Sequence, residues 1–184
     1  MDNPATRELE RLPKETLIEL IKMYSRNWLT MDGLWFTGVE DRYGEKAAIE
    51  MDVRMWEIGS RIEAERVKKI LGLEPGLENV IRAIDFLSVS YSFGYEYEIS
   101  DNRVLWTCLH CLPQETRLRM GKSEFACQAT CDACFKNIID VIDPMVRLRC
   151  IFCPPGPRPA DAWCQWEFSL RGTRRKTDSP KEYS

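Results

Sequence analysis

The stretch FACQATCDACFK (125–136) sets cysteines at 127, 131 and 134 in the spacing C-x3-C-x2-C. The pair C-x2-C occurs twice more, as Cys108 with Cys111 and Cys150 with Cys153. Cys164 completes a set of eight, and none precedes residue 108. A tight turn lets two sulfurs in C-x2-C converge on one ion. Four thiolates at about 2.3 Å close a tetrahedral zinc site, and the same ligands hold iron–sulfur clusters. Thiols clustered in this way point to a soft-metal site, with zinc first and an iron–sulfur cluster as the alternative. The competing reading is plain burial, because free cysteine behaves as a small apolar side chain. Alternation along the strands turns Cys108, Cys150 and Cys164 inward, and Cys131 and Cys134 fall near a helical apolar stripe. Cys111 before Pro113, Cys127 ahead of a helix and Cys153 before Pro154 sit at turns, where they are freest to converge. Cys164 opens the strand that returns beside them.

C-x3-C-x2-C is also the cluster-binding spacing of radical enzymes, but there it follows the first strand of a partial α/β barrel and usually has an aromatic residue before its last cysteine. Here Ala133 holds that place and the chain beyond alternates as two antiparallel strands, so the context argues against it. His110, inside CLHC, is expected to point away from its flanking cysteines. Asp32 is a candidate pocket residue whose default role is to cap a second helix. Arg117 and Arg119, beside Gly121, are candidate anion contacts, with exposure in a solvated loop the expected state.

The elements that must position these residues follow from apolar periodicity. Leu17, Ile18, Ile21, Tyr24 and Trp28 recur at helical spacing behind Pro13. A break is expected over 30–33, before a second short stripe of Leu34, Trp35, Val39 and Tyr43. Residues 45–71 read as one helix about 40 Å long, with Ala48, Met51, Met55, Ile58 and Ile62 in one stripe and Ile49, Val53 and Trp56 widening it. So wide an apolar arc predicts packing on two sides, against the sheet and against a second copy in a homodimer. A short helix is expected over 77–86.

From 89 to 99 the period becomes two, with Val89, Tyr91, Phe93, Tyr95, Tyr97 and Ile99 on one face. A two-residue turn at Asp101 and Asn102 would pair Ile99 with Val104, Tyr97 with Trp106 and Tyr95 with Cys108. A polar stretch over 114–124, a helix over 130–142 and strands over 146–152 and from 164 complete the order. The fold class is therefore α+β: N-terminal helices, one of them long, packed on a four- or five-stranded antiparallel sheet. The expected organisation is a flexible arm over 1–13, a single domain over 14–171 (helical over 14–86, cysteine-rich sheet over 87–171) and a disordered tail over 172–184.

Bulk composition narrows the partners. The chain has 184 residues, 44% hydrophobic and 30% charged, with a net charge of −3. That offers no basic field for nucleic acid. No apolar run is long enough for a membrane span, and no signal-peptide core is visible, so a cytoplasmic location is expected. In a reducing compartment eight cysteines favour metal or redox chemistry over disulfides.

Two stretches, LTMDGLWFTGVEDRYGEKAAIEMDVRMWE and IDPMVRLRCIFCPPGPRPADAWCQWEFSL, resemble an uncharacterised family of bacterial and archaeal cytosolic proteins related to the L-2-amino-thiazoline-4-carboxylic acid hydrolase-like group. More distantly, the helices-then-sheet order is similar to the 4-vinyl-reductase domain and the haem–nitric-oxide-binding ligand domains. The near resemblance implies a pattern here formed by Cys111, Gln114, Arg117, Gly121, Phe125 and Cys127. It continues through Ile142, Asp143 and Pro144, then Cys150, Cys153, Pro154 and Pro155, and ends on Trp163, Cys164, Trp166 and Phe168. It implies Cys111, Cys127, Cys153 and Cys164 as the ligand set, with Cys150 in reserve, and does not require cysteine at 131 or 134. The expected function is a cytosolic small-molecule-binding domain with a structural zinc. The alternatives are metal-assisted hydrolysis of a C–N bond in a small heterocycle, through an open coordination position, and an iron–sulfur redox or sensor role.

Overall fold

Gly44, at φ 87°, joins two long helices, α2 (Lys14–Tyr43) and α3 (Glu45–Leu71), through a single residue in a conformation open to glycine. The computed structural model describes residues 3–170. It begins with a short exposed helix, α1 (Pro4–Glu10), capped by the Asn3 side chain, which accepts from the Ala5 N–H at 3.0 Å. Part of the expected arm is therefore helical. The expected disordered tail lies outside the described residues.

α2 is not broken at 30–33. Thr30 donates its hydroxyl to the Arg26 carbonyl and Thr37 donates to that of Gly33, at 2.9 and 2.8 Å, so both threonines are accommodated inside the helix. Packing of α2 on α3 outweighs the roughly 1 kcal/mol that Gly33 costs an isolated helix. Asp32 is thus a mid-helix residue and caps nothing.

α3 buries a narrower and different line than its hydrophobicity suggests: Ala48, Asp52, Trp56, Ser60, Ala64 and Val67. Met51, Ile58 and Ile62 from the expected stripe are exposed. The small residues on the buried line let helix α6 (Gln128–Ile142) approach closely. Asn137 of α6 spans the contact, donating to the Glu57 carbonyl at 2.7 Å and to the Ser60 hydroxyl at 3.0 Å.

Helix α4 (Leu77–Asp85) leads to four antiparallel strands, β1 (Phe93–Ser100), β2 (Arg103–Cys111), β3 (Val146–Phe152) and β4 (Cys164–Leu170), in the order β1-β2-β4-β3. The β1–β2 register pairs Ile99 with Val104, Tyr97 with Trp106 and Tyr95 with Cys108, as the turn at Asp101 and Asn102 requires. β1 begins later than the alternation from 89 suggests, because Ser90–Ser92 form a 3-10 turn whose Ser92 hydroxyl meets that of Ser25 on α2 at 2.9 Å.

α6 lies between α3 and the sheet. Its Phe135 ring stands edge-on to Trp106, Trp166 and Phe168 at 5.4 to 5.6 Å, which makes it the centre of the core. The fold is α+β with an antiparallel sheet, so the parallel βα repeats of a radical-enzyme barrel are not its architecture.

The stretch expected to be a polar loop contains helix α5 (Leu112–Arg119). Its Arg117 is 5% exposed. Arg117 grips Glu40 of α2 with two contacts of 2.9 Å, stacks over Phe36 and Phe125, and donates to the Ser123 carbonyl. The bidentate partner on a distant helix explains the burial. Arg119 is exposed, as a loop residue would be.

Candidate metal centre and ligand cavity

Three places in the fold bring sulfurs together. β2 and β4 pair Cys108 directly with Cys164. Cys127 occupies the N-cap of α6, and Cys131 lies one turn further on. Cys153 follows β3 at a turn that Gly156 closes onto the Cys153 carbonyl at 3.0 Å.

The sulfurs form a row: Cys111 interacts with Cys108, Cys108 with Cys164, Cys164 with Cys153, Cys153 with Cys127 and Cys127 with Cys131. The Cys127 and Cys153 sulfurs are 3.4 Å apart. Cys150 interacts with Cys153 and is half-exposed. Among the described residues no group of three or more His, Cys, Asp or Glu already encloses a metal position, so as the side chains stand the arrangement is a row and not a cage.

Within the expected ligand set, Cys127, Cys153 and Cys164 are neighbours, and Cys111 reaches them through Cys108. Cys131, which the family pattern leaves aside, is in contact with Cys127. Cys134 is buried on the same helix and its thiol is pushed up by burial. His110 is solvent-facing, 3.6 Å from Glu115 and away from the sulfurs.

The row alternates in acidity. Cys127 is held well below the usual thiol range by hydrogen bonding from Cys131 and Cys153 and by Gln114, while Cys131 and Cys153 are pushed up. Cys164 is likewise lowered, first by Cys108 and then by Cys153. Each lowered sulfur in the row thus sits between raised neighbours that hydrogen-bond to it.

Gln114, fully buried on α5, orients the end of the row. Its amide donates to the Phe125 carbonyl at 2.9 Å and toward the Cys127 sulfur at 3.4 Å, and its oxygen accepts from the Phe125 N–H. Gln114 and Arg117 share a face of α5, so the Q-x-x-R spacing pins this helix both to Cys127 and to α2.

The sulfurs line one wall of a cavity of about 470 Å³ between α2, α3, α6 and the sheet. That is the size of a small-molecule site. Cys108, Cys111, Cys127, Cys131, Cys134 and Cys164 face it, and apolar residues such as Leu29, Phe36, Trp56 and Trp106 form most of the rest.

Two carboxylates also line it. Asp52 accepts from the Thr130 hydroxyl at 2.8 Å, and burial, helped by the charge of Asp32, raises it to about 7. Burial raises Asp32 to about 6. Asp52, Thr130 and Trp106 were not singled out as site residues on the sequence. The available signal was an acid at the fourth position between Ala48 and Trp56, inside an otherwise apolar helix face.

Compared with known proteins, residues 10–170 match the model of a family described as a family of unknown function, DUF6125. No curated protein and no solved structure matches the chain. Among the described residues no helix is long and apolar enough to cross a membrane.

Proposed function

The chain belongs to the DUF6125 family, and we propose that it is a small-molecule-binding domain whose thiolates hold a zinc ion at the wall of the binding cavity. The observation that carries this reading is the apolar cavity with cysteine sulfurs along one side. Thiolates at about 2.3 Å from a tetrahedral ion stand about 3.8 Å from one another, and Cys127 and Cys153 at 3.4 Å are close to that spacing. Cys127, Cys153 and Cys164 would hold the metal. Cys108 is the nearest fourth sulfur along the row, Cys111 is the fourth of the family pattern, and Cys150 adjoins Cys153. A closed four-sulfur shell gives zinc a structural role, tying β2, the β3–β4 connection and the start of α6 together. The resemblance to the amino-thiazoline carboxylate hydrolase-like group, and the more distant one to 4-vinyl-reductase domains, belongs to this proposal and is in keeping with helices preceding an antiparallel sheet.

Metal analysis of protein purified without added metal tests the zinc, with about one ion per chain expected. A metal-free protein with every thiol freely titratable would overturn it, and a brown anaerobic preparation containing iron would replace zinc with a cluster. Binding of the neutral apolar probe N-phenyl-1-naphthylamine tests the cavity. Gly33 lines it with open space around its Cβ position, so Gly33→Leu should weaken that binding. Unchanged binding would move the site elsewhere.

A second reading, metal-assisted hydrolysis of a C–N bond in a small heterocycle, is favoured by one observation. Asp52 is a carboxyl poised near neutral pH in the cavity, suited to proton transfer. It requires an open position on the metal, and an intact four-sulfur shell by X-ray absorption would refute it.

The same proposal includes a homodimer. Tyr24, Leu34 and Trp35 of α2 and Met51 and Ile58 of α3 are all more than half exposed. These adjoining helices offer a long apolar face of a kind suited to covering a second copy across a two-fold axis.

A further inference from the structure

The cavity contains an electrostatic signature that its apolar walls do not require. Apart from its thiols and Tyr95, the ionisable groups on its lining are Arg26, Asp32, Asp52 and Arg117. Arg117 is spoken for, since Glu40 neutralises it through two 2.9 Å contacts and Glu45 stands 3.5 Å away. Arg26 is an exposed residue of α2. What remains inside is Asp32 and Asp52, on adjoining helices and both on the cavity lining, with the Asp32 charge felt at Asp52 and the cysteine wall completing the lining. Zinc bound by four thiolates would leave that wall negative, because four negative sulfurs exceed the charge of the ion.

Of the two carboxylates, Asp32 is the one the fold does not account for. Both lie within helix interiors, far from the helix N-termini where acids stabilise a helix. Asp52 accepts from the Thr130 hydroxyl and is also hydrogen-bonded by the Trp56 side chain, whereas Asp32 has no hydrogen-bond partner among the described residues. The indole N–H of Trp106, buried and on the same cavity wall, is also without a partner. Buried polar groups left unmatched cost stability unless something else completes them.

We infer that the cavity takes a protonated amine with an apolar body, its ammonium group lying at Asp32 and Asp52 and its body against Phe36, Trp56 and Trp106. This rests on the reading of the cavity as a ligand site. An ammonium donates to both carboxylates and cancels the repulsion between them. The aromatic walls take the body and add cation–π attraction. An acceptor atom on that body would complete the Trp106 N–H. An anion of the same shape would meet two carboxylates with no free cation deep in the cavity.

The test titrates the full chain at pH 7.5 with tryptamine, tryptophol and indole-3-acetate, three probes with one apolar body and a cationic, neutral or anionic end, by calorimetry and ligand-observed NMR. Tryptamine is expected to bind at least about tenfold more tightly than tryptophol, as suits a desolvated charge-assisted contact, with indole-3-acetate weakest. Asp32→Asn should remove most of that preference while leaving tryptophol binding within about threefold, a change too small for loss of the whole cavity. Equal binding of amine and alcohol by the wild-type chain, or tighter binding of the acid, overturns the inference and leaves the cavity reading standing. Failure of all three to bind at millimolar concentration overturns both. The wild-type comparison needs no variant, so misfolding of Asp32→Asn would not shield the inference.

Discussion

Replacing Asp52 by Asn is expected to stabilise the protein above neutral pH and to leave it unchanged in acid. The residue is 8% exposed, and burial is the largest cause raising its carboxyl from 3.8 to about 7. Below pH 3.8 the carboxyl is neutral in both folded and unfolded chains and costs nothing. As pH rises toward 7 the unfolded chain releases this proton first, so native stability falls, and above 7 the full cost of a buried charge is present. About three pH units at about 1.4 kcal/mol each set an upper limit on the order of 4 kcal/mol. The Asp32 charge supplies part of this, and relaxation around the site lowers it further. An asparagine oxygen in the same place still accepts from Thr130, so the variant removes the charge and keeps the tie between α3 and α6. Urea unfolding of both proteins at pH 4, 6 and 8 reads the difference directly. Near pH 4 the midpoints should agree, and at pH 8 the variant should be more stable by about 2 to 4 kcal/mol. A difference that does not vary with pH, or a less stable variant at pH 8, would refute the account of Asp52 as a buried charge.

The remaining predictions concern the other parts of the site. Arg117→Met removes the bidentate partner of Glu40 in a largely buried place and leaves it Lys122 at 2.9 Å, so it should cost about 1 to 3 kcal/mol; adding Glu40→Gln should recover much of it in a double-mutant cycle by urea unfolding. Cys127→Ser should reduce the zinc retained on purification, whereas Cys134→Ser, at a thiol outside the sulfur row, should leave metal content unchanged; equal loss from both would remove the assignment of ligands. Trp35→Glu, at a residue 73% exposed, should convert a dimer to a monomer in light scattering with little change in melting temperature, and a monomeric wild-type chain would refute the dimer.

Local patterning decided much of the architecture. The alternation of Tyr95, Tyr97 and Ile99 and the two-residue turn at Asp101 and Asn102 are local signals, and they led to the β1–β2 register that the fold displays. Period two also turns Cys164, Trp166, Phe168 and Leu170 inward, and the first three are buried while Leu170 is half-buried. Patterning failed where a distant partner overrode the local preference. Thr30, Asp32 and Gly33 look like a helix break, yet α2 continues because α3 lies along it. Arg117 reads as a solvated arginine until Glu40, 77 residues away in sequence, is brought against it.

The site divides in the same way. That the cysteines were clustered, and that Cys111, Cys127 and Cys153 sat at turns with Cys164 returning beside them, was legible in the sequence, though Cys111 reaches the others only through Cys108. That Cys108 and Cys131 belong to the same row was not, because one is set by strand pairing with β4 and the other by how α6 lies on the sheet. Asp32 and Asp52 line one cavity only because α2 and α3 fold back on each other at Gly44. Local pattern alone set the strands and most of the long helices, the β1–β2 register and the kind of donor atoms available. Tertiary packing alone decided which of them share one cavity, because distance across helices is set by side-chain fit and not by separation along the chain.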